Sequence, residues 1–377
     1  MRELVQQTEH VVIKIGSAVF LRDQLHVDRP AFASLVEGID DLLRRGWSVT
    51  LVSSGAVAMG RQWLGKAAGP GREIPRLQAY AALGQSRLME MYETEFSHYG
   101  RKVAQILFSR GDLSERPRYL NARQTLATLE ELGAVPVINE NDTVATEELR
   151  FGDNDQLAAM TAGLVGAQTL ILLSDVEGLK EVEFGPAGER RLGATVESIE
   201  VDDPRIDQWA GPSATGVGTG GMISKVRAAR IAARSGATTV IAPGKERRVL
   251  QRIADGEAVG TIFDPGNAPT VAGRKIWLGS SALATGKITC DPGAQRAICR
   301  QGASLLPSGI TAVDGDFEEG SVVELSDEKG RIFARGLTVY GAPDLRAIAG
   351  HQSQKIESIL GFKVLDAAVH RDNLIIL

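Results

Sequence analysis

Short runs of apolar residues alternate with longer helical patterns from the start of the chain to about residue 265. This alternation is typical of a parallel sheet, because each helical stretch can carry the chain back across the sheet to the next strand. The predicted strands lie at 10–15, 47–52, 102–108, 134–138, 169–173 and 238–242. The predicted helices lie at 30–45, 74–99 and 118–132, after residue 155, and from a glycine-rich loop at 216–222 to residue 234. The sequence therefore predicts an α/β domain with a largely parallel sheet.

The character of the sequence changes after residue 265. Residues 266–283 are rich in glycine, proline and alanine, which is typical of a linker. Beyond them, short strand-like runs at 322–326 and 331–339 precede two short helical patterns. We therefore predict a first domain at 1–265, a linker at 266–283, and a small mixed β domain at 284–366 with a tail to residue 377. Two domains agree with a length of 377 residues.

Charge and cysteine content exclude several classes of protein. The 42 Lys and Arg residues are outnumbered by 47 Asp and Glu residues, so the net charge is −5 and the chain lacks the bulk positive charge of a nucleic-acid binder. Its two cysteines, Cys290 and Cys299, match no zinc or disulfide pattern. The sequence shows neither a signal peptide nor an apolar run of about 18 residues. We expect a cytoplasmic protein without a membrane segment.

Small and polar residues lie at the carboxyl ends of the predicted strands. They are Lys14, Gly16, Ser17, Ser54, Gly55, Asn141, Asp142, Ser174 and Asp175. Each alone could be an ordinary turn residue. Because ligands of open α/β sheets bind at this edge, their concentration there predicts a cleft for a polar ligand.

Lys14 interrupts an otherwise apolar strand. Burying an unpaired ammonium is costly, so one interpretation places Lys14 at an edge with its amine reaching water. The other interpretation holds the amine near phosphate oxygens, and we favour it because the glycine at position 16 lets a ligand approach closely.

A second candidate phosphate site opens the helix that ends near residue 234. It consists of Thr219, Gly220, Gly221, Met222, Ile223, Ser224 and Lys225. The free N–H groups at a helix N-terminus bind anions, and Lys225 can reach a phosphate from the first turns. The alternative is a flexible surface loop beside an ordinary helix lysine.

Asp153, Asn154 and Asp155 precede another predicted helix. Carboxylates beside a phosphate site can organise Mg²⁺ or a substrate amine. The same residue types also favour helix N-caps, so this motif by itself discriminates little.

Two familiar glycine motifs match the sequence without their required context. The segment 60–66 has P-loop spacing, but Ala67 stands where a Mg²⁺-binding hydroxyl is needed. Gly216, Gly218 and Gly221 fit the dinucleotide motif, but no predicted strand precedes them. The sequence therefore predicts neither a Walker-type nucleotidase nor a nicotinamide enzyme.

Taken together, the motifs resemble those of the glutamate 5-kinase group of the amino-acid kinase family. The resemblance covers essentially the whole chain and rests on VVIKIGS, VSSGAVAMG, VPVINENDTVAT, FGDNDQLAA, LLSDVEGL and GVGTGGMISK. The segments ITCDPGAQRAI, SLLPSGI and IAGHQSQKIESILG resemble the PUA domain that follows the kinase domain in many bacterial members. The implied fold is a three-layer α/β/α kinase domain followed by a small mixed, barrel-like β domain.

The resemblance implies ATP-dependent phosphorylation of the L-glutamate side-chain carboxylate, the first step towards proline. It assigns Lys14, Lys225, Asp153 and Asp155 to catalysis. It assigns ATP binding to Lys14, Gly16, Ser17, Ser174, Asp175 and residues 219–225, and glutamate binding to Ser54, Gly55, Asp142 and Asn154. It implies Mg²⁺ held mainly by the ATP phosphates, without direct protein ligands.

Regulation and assembly also follow only from the resemblance. It implies feedback inhibition by proline near the glutamate site, with residues 139–146 as candidates, and a homodimer or homotetramer. The segment GLKEVEFG departs from the family pattern at Lys180 and Glu183, which leaves the nucleotide preference open.

Two alternatives remain open from the sequence. One is another amino-acid kinase that acts on a related acidic amino acid. The other is an RNA-binding PUA protein, although residues 284–377 contain ten Lys and Arg against twelve Asp and Glu, a poor electrostatic match to RNA.

Overall fold

The structure, a computed structural model, describes residues 2–22, 26–65, 73–144, 154–184, 190–211, 221–266, 278 and 283–377. The chain forms two compact units, one of residues 1–113 with 117–270 and the other of residues 271–377 with 114–116. Most of the predicted linker at 266–283 lies outside the described residues, so the predicted domain bounds stay predictions.

The first unit contains an eight-stranded sheet, two small two-stranded sheets and a set of helices. Its strands are β1 (His10–Ile15), β2 (Leu21–Arg22), β3 (His26–Val27), β4 (Ser48–Ser53), β5 (Lys102–Phe108), β6 (Ala134–Glu140), β7 (Thr169–Ser174), β8 (Lys180–Phe184), β9 (Arg190–Thr195), β10 (Ser198–Glu200), β11 (Thr238–Pro243) and β12 (Thr261–Asp264). Its helices are α1 (Arg2–Gln6), α2 (Ser17–Phe20), α3 (Arg29–Arg44), α4 (Ala56–Leu64), α5 (Ile74–Ser97), α6 (Arg110–Ser114), α7 (Arg116–Glu131), α8 (Asn154–Val165), α9 (Arg205–Trp209), α10 (Met222–Ala233) and α11 (Val249–Ala254).

Eight strands form the main sheet in the order β10-β12-β11-β7-β1-β4-β6-β5. The six strands from β11 to β5 run parallel to their neighbours, and β12 pairs antiparallel with β11. The predicted parallel sheet is therefore confirmed, and β1, which carries Lys14, lies at its centre.

Helices cover both faces of this sheet. Side chains of α3, α5 and α11 pack with Ile13, Leu51 and Ile171 in one buried core. Helices α8 and α10 pack against β1, β7 and β11 from the other face. The unit thus has the α/β architecture that the sequence predicted, in the three-layer α/β/α form that the resemblance implied.

Local sequence signals set several of the element boundaries. Helix α3 begins after Asp28, whose carboxylate accepts a hydrogen bond from the Ala31 backbone N–H at 3.3 Å, as expected of an N-cap residue. Gly46, with φ of +90°, follows the helix and turns the chain into β4. The stretch after β7, which has no clear sequence pattern, forms the antiparallel hairpin β8–β9.

The second unit is a small mixed β structure. Its strands are β13 (Gly286–Cys290), β14 (Ile310–Asp314), β15 (Val322–Ser326), β16 (Ile332–Thr338) and β17 (Val369–Ile376), and its helices are α12 (Pro292–Gln301), α13 (Ala342–Ile348) and α14 (Ile356–Leu360). The strand order is β14-β13-β15-β16-β17, with β13 and β15 parallel and the other neighbours antiparallel. Within the described part of the chain, every helix is too short or too polar to span a bilayer.

Candidate active site

Two lysines from distant parts of the chain meet at one buried carboxylate. Lys14 Nζ lies 2.6 Å from Asp155 Oδ1, and Lys225 Nζ lies 3.1 Å from Asp155 Oδ2. The Ser224 hydroxyl also donates to Asp155 Oδ2, at 2.9 Å. We call Lys14, Asp155, Ser224 and Lys225 the ionic cluster. Two ammonium groups and one carboxylate leave this cluster with a net charge of +1, which favours an anionic ligand.

The position of β1 explains how Lys14 reaches this cluster. Lys14 pairs with Val52 of β4 on one side and with Leu172 of β7 on the other, so the alternative of an edge position is wrong. Because side chains alternate along a strand, Ile13 and Ile15 point into the core beneath α3 while Lys14 points towards α8. Only 8% of Lys14 is exposed.

The electrostatic balance at Asp155 follows from its surroundings. Burial disfavours the ionised carboxylate, but the nearby ammonium groups of Lys14 and Lys225 outweigh that effect and hold the pKa of Asp155 below its usual value. Asp155 is therefore ionised at neutral pH and keeps the two ammonium groups close together despite their mutual repulsion.

Helix α10 supplies the second lysine. It begins after Gly221, which has extended backbone angles, and Ser224 and Lys225 are buried in its first turn. Both face Asp155 on the neighbouring helix α8, because α8 and α10 pack side by side on the same face of the sheet. The alternative of an ordinary surface lysine is wrong, since only 3% of Lys225 is exposed.

A second cluster, built from amide and hydroxyl groups, lies beside the ionic cluster at the start of α8. Asn154 Nδ2 is within hydrogen-bond distance of Ser53 O at 3.0 Å, Ser54 Oγ at 2.9 Å and Asn139 Oδ1 at 2.9 Å. We call Ser54, Asn139 and Asn154 the amide cluster. The ends of two strands, β4 and β6, and the start of helix α8 therefore converge on it.

Adjacent residues at the start of α8 join the two clusters. Asn154 takes part in the amide cluster, and Asp155 takes part in the ionic cluster. A small polar molecule held by the first cluster would thus lie beside an anion held by the second. This juxtaposition suits the transfer of a negatively charged group between two ligands.

Gly55 determines the shape of the chain beside Ser54. Its φ is +111°, in the left-handed region that favours glycine. A Cβ at this position would lie 2.8 Å from the Phe20 ring. Glycine therefore lets the chain turn tightly from β4 into α4.

The crossing of α4 and α5 fixes where α4 begins. A Cβ on Gly84 would lie 1.8 Å from the Ala56 carbonyl oxygen, and a Cβ on Gly60 would lie 1.9 Å from the Tyr80 carbonyl oxygen. The two helices touch backbone to backbone at these glycines. Since α4 starts directly after Gly55, this contact also positions the Ser54 turn.

The other predicted nucleotide residues lie along the same sheet edge. The Gly16 backbone N–H donates to Leu173 O at 3.2 Å, and Ser17 opens α2. The Ser174 hydroxyl donates to Asp175 Oδ1 at 3.0 Å. Met222 and Ile223 open α10. The structure thus places these residues at the carboxyl ends of β1 and β7 and at the start of α10.

The remaining predicted site residues are not part of either cluster as the structure describes them. Asp153, Thr219 and Gly220 lie outside the described residues. Asp142 is half-buried in the turn that follows β6, three residues after Asn139.

Sequence reasoning missed two members of the hydrogen-bond network. Asn139 was predicted only as a candidate for feedback inhibition by proline. In the structure its side chain makes several hydrogen bonds: Oδ1 accepts from Glu140 N at 2.9 Å, and Nδ2 donates to Gln85 Oε1 at 2.9 Å. Gln85 had no assigned role. The available signal was a glutamine on the apolar face of a long helix, where a polar group needs a partner.

Mg²⁺ prefers several oxygen ligands. Both carboxylate oxygens of Asp155 already face ammonium groups. The described residues contain no group of three His, Cys, Asp or Glu side chains able to hold a metal ion. The described side chains of this site therefore do not fit a metal ion held by the protein alone.

Known proteins resemble this chain over its whole length. Residues 9–243 match the model of the amino acid kinase family, and residues 286–360 match the PUA domain. The chain is 46% identical over 375 residues to proteins called glutamate 5-kinase from Saccharophagus degradans and from Teredinibacter turnerae, covering 100% of this chain and 99% of each relative. Among solved structures, a carbamate kinase from Giardia lamblia bound to AMP-PNP matches with a TM-score of 0.49 at 16% identity, over 69% of this chain and 99% of the other.

Proposed function

Because this chain belongs to the amino acid kinase family, we propose that it transfers the terminal phosphoryl group of ATP to the side-chain carboxylate of L-glutamate. The products are ADP and L-glutamyl 5-phosphate. The full-length relatives at 46% identity carry the name of this activity.

The observation that carries the proposal is the junction of the two clusters at residues 154 and 155. The ionic cluster offers two buried ammonium groups to phosphate oxygens, and the amide cluster offers hydroxyl and amide groups to an amino acid. One peptide bond separates the side chains that anchor each cluster, so the two ligands would meet there.

The chemistry requires alignment and charge stabilisation more than proton transfer. A glutamate carboxylate is already ionised at neutral pH, so one of its oxygens attacks the γ-phosphorus directly and the bond from that phosphorus to the bridging oxygen of ADP breaks. Negative charge spreads over the transferred oxygens, where Lys14 and Lys225 stabilise it. Asp155 positions both ammonium groups and takes no proton.

Each ligand has its own set of proposed contacts. For glutamate, the Ser54 hydroxyl suits a substrate carboxylate, while Asp142 and Asn154 suit the ammonium; Gly55 lets the substrate approach the backbone. For ATP, the proposed contacts are Lys14, Gly16, Ser17, Ser174, Asp175 and residues 219–225. ATP enters as its Mg²⁺ complex, with the metal carried by its phosphates. Asp153 belongs to the same proposal as a support for the reacting groups.

Three further properties belong to this proposal as expectations of the family. They are feedback inhibition by proline near the glutamate site, assembly into a homodimer or homotetramer, and a cytoplasmic location. Proline should compete with glutamate if its site overlaps the amide cluster.

The test is an assay of ADP release with ATP, Mg²⁺ and one acceptor at a time: glutamate, acetylglutamate or aspartate. Hydroxylamine in the mixture converts an acyl phosphate into a hydroxamate, which identifies the phosphorylated group. We expect release with glutamate, inhibited by proline. Activity confined to acetylglutamate or aspartate would favour the second candidate, another amino-acid kinase.

A further inference from the structure

Helix α5 directs two buried polar side chains towards the amide cluster. Gln85 Oε1 accepts a hydrogen bond from Asn139 Nδ2 at 2.9 Å, and the Tyr92 hydroxyl lies 2.8 Å from Ser53 Oγ. Seven residues separate Gln85 from Tyr92, which places them on the same face of the helix. Leu88 on that face is fully buried. Polar groups in such a setting are costly unless they are hydrogen-bonded, so their partners indicate what this face of α5 supports.

The backbone fixes the orientation of the Asn139 amide. The Glu140 N–H can only donate, so the atom that it contacts on Asn139 must be the oxygen, at 2.9 Å. The opposite end of the Asn139 amide, its NH₂ group, therefore faces Gln85. Gln85 Oε1 provides the acceptor there, and without it this buried NH₂ group would lose that partner.

The Asn139 oxygen is one of three oxygens that orient Asn154. The two hydrogens of Asn154 Nδ2 are shared among three oxygens, those of Ser53, Ser54 and Asn139. The NH₂ group of Asn154 thus faces the protein, and its carbonyl oxygen is the end turned away from these contacts. Because Ser54 Oγ accepts from Asn154, its own O–H hydrogen remains for a different acceptor.

We propose that Gln85 is a positioning residue: by accepting from Asn139 Nδ2 it holds the Asn139 side chain in place, so that Asn139 Oδ1 keeps its contact with Asn154 and the Asn154 oxygen stays presented to the substrate. The proposal rests on the proposed function, because the ligand is taken to be an amino acid. We call the contacts from Gln85 through Asn139 to Asn154 the relay. The relay presents the Asn154 oxygen as an acceptor for an ammonium and the Ser54 hydroxyl as a donor for a carboxylate. A zwitterionic amino acid needs this pair of opposite polarities.

Three variants of α5 separate the relay from a purely structural role. Gln85→Met keeps the volume but removes the acceptor. Gln85→Glu keeps an acceptor oxygen in either protonation state. Glu93→Met removes a polar group from an exposed position of the same helix and is the matched control.

Steady-state kinetics with the full chain give the first readout. We expect Gln85→Met to raise the glutamate KM about tenfold, the equivalent of about 1.4 kcal/mol, with kcat and the ATP KM nearly unchanged. Gln85→Glu should restore most of the affinity for glutamate, and Glu93→Met should match the parent. An unchanged glutamate KM in Gln85→Met, or an equal loss in Gln85→Glu, would overturn the relay while leaving the proposed function intact.

The second readout needs no turnover. In ¹⁵N-labelled protein, the side-chain NH₂ signals of Asn139 and Asn154 can be assigned through Asn139→Asp and Asn154→Asp. We expect Gln85→Met to shift both pairs of signals and Glu93→Met to shift neither. If the parent lacked glutamate-dependent ADP release, the proposed function would fail, but the NMR signals would still test the relay. Unmoved Asn154 signals in Gln85→Met would refute the relay.

Discussion

Lys14 and Asp155 form the shortest link of the ionic cluster, with 2.6 Å between Nζ and Oδ1. The central strand β1 supplies the lysine and the first turn of α8 supplies the carboxylate, which also contacts Lys225 through its other oxygen. One carboxylate thus sets the separation of the two ammonium groups before any ligand binds.

Replacement of Asp155 by asparagine should damage both stability and turnover. It leaves two buried ammonium groups without a counter-charge, and breaking a buried pair costs about 3–5 kcal/mol. We expect a loss of that size in the free energy of unfolding, measured by urea titration, together with a steep fall in kcat. Asp207→Asn is the control, because its ion pair with Arg230 is largely exposed and worth about 0–1 kcal/mol. Equal effects of the two substitutions would contradict the role of the ionic cluster.

Removal of the second lysine should act mainly on the chemical step. Lys225→Ala removes a charge that matters most when the transferred phosphoryl group develops charge. We expect kcat to fall at least about 100-fold, with a much smaller change in the glutamate KM. Arg227→Ala, an exposed position on the same helix, should leave steady-state kinetics unaltered. Normal turnover of Lys225→Ala would refute the assignment.

The turn after β6 should act mainly on substrate affinity. Asp142→Ala should chiefly raise the glutamate KM, because the carboxylate is proposed to bind the substrate ammonium. Asp142→Asn tests whether charge is the cause, since it keeps the shape and removes the negative charge. We expect both variants to reach half-maximal velocity at similarly raised glutamate concentrations in a titration. A normal titration for either one would count against the contact.

Acid should weaken the ionic cluster in a defined direction. The pKa of Asp155 is lowered in the folded protein, whereas an aspartate in the unfolded chain titrates near about 3.9. The stabilisation is therefore complete above that pH and disappears as the pH falls through the lower, folded-state pKa. In urea titrations from pH 7 to pH 3, the stability gap between the parent and Asp155→Asn should narrow below about pH 4. A gap that stays constant over this range would disprove the linkage.

The crossing of α4 and α5 should tolerate no added side chain. In Gly84→Ala the new Cβ would lie 1.8 Å from the Ala56 carbonyl oxygen, so the helices must separate. Overpacking of this kind costs about 1–3 kcal/mol, and displacement of α4 should also raise the glutamate KM through the Ser54 turn. Thermal unfolding and kinetics measure the two effects. The control Ala82→Ser adds an atom at an exposed site of α5 and should change neither the thermal stability nor the glutamate KM. If Gly84→Ala also left both quantities unchanged, the helices would be able to adjust freely.

The sequence predicted much of the fold because its signals are local. Apolar runs located the six parallel strands of the main sheet, which are β1, β4, β5, β6, β7 and β11. The hairpin β8–β9 and the antiparallel β12 carry no comparable local signal, since their pairing depends on which strands lie beside them.

The site divides in the same way. By itself, the sequence determined which polar residues end the strands, and its motifs identified the family, because turn chemistry and motif spacing are properties of neighbouring residues. Only the tertiary structure decided that Lys14 and Lys225 share Asp155 and that Gln85 reaches Asn139. Those contacts join residues far apart in the chain, and their distances are set by how helices pack on the sheet, which no local pattern encodes.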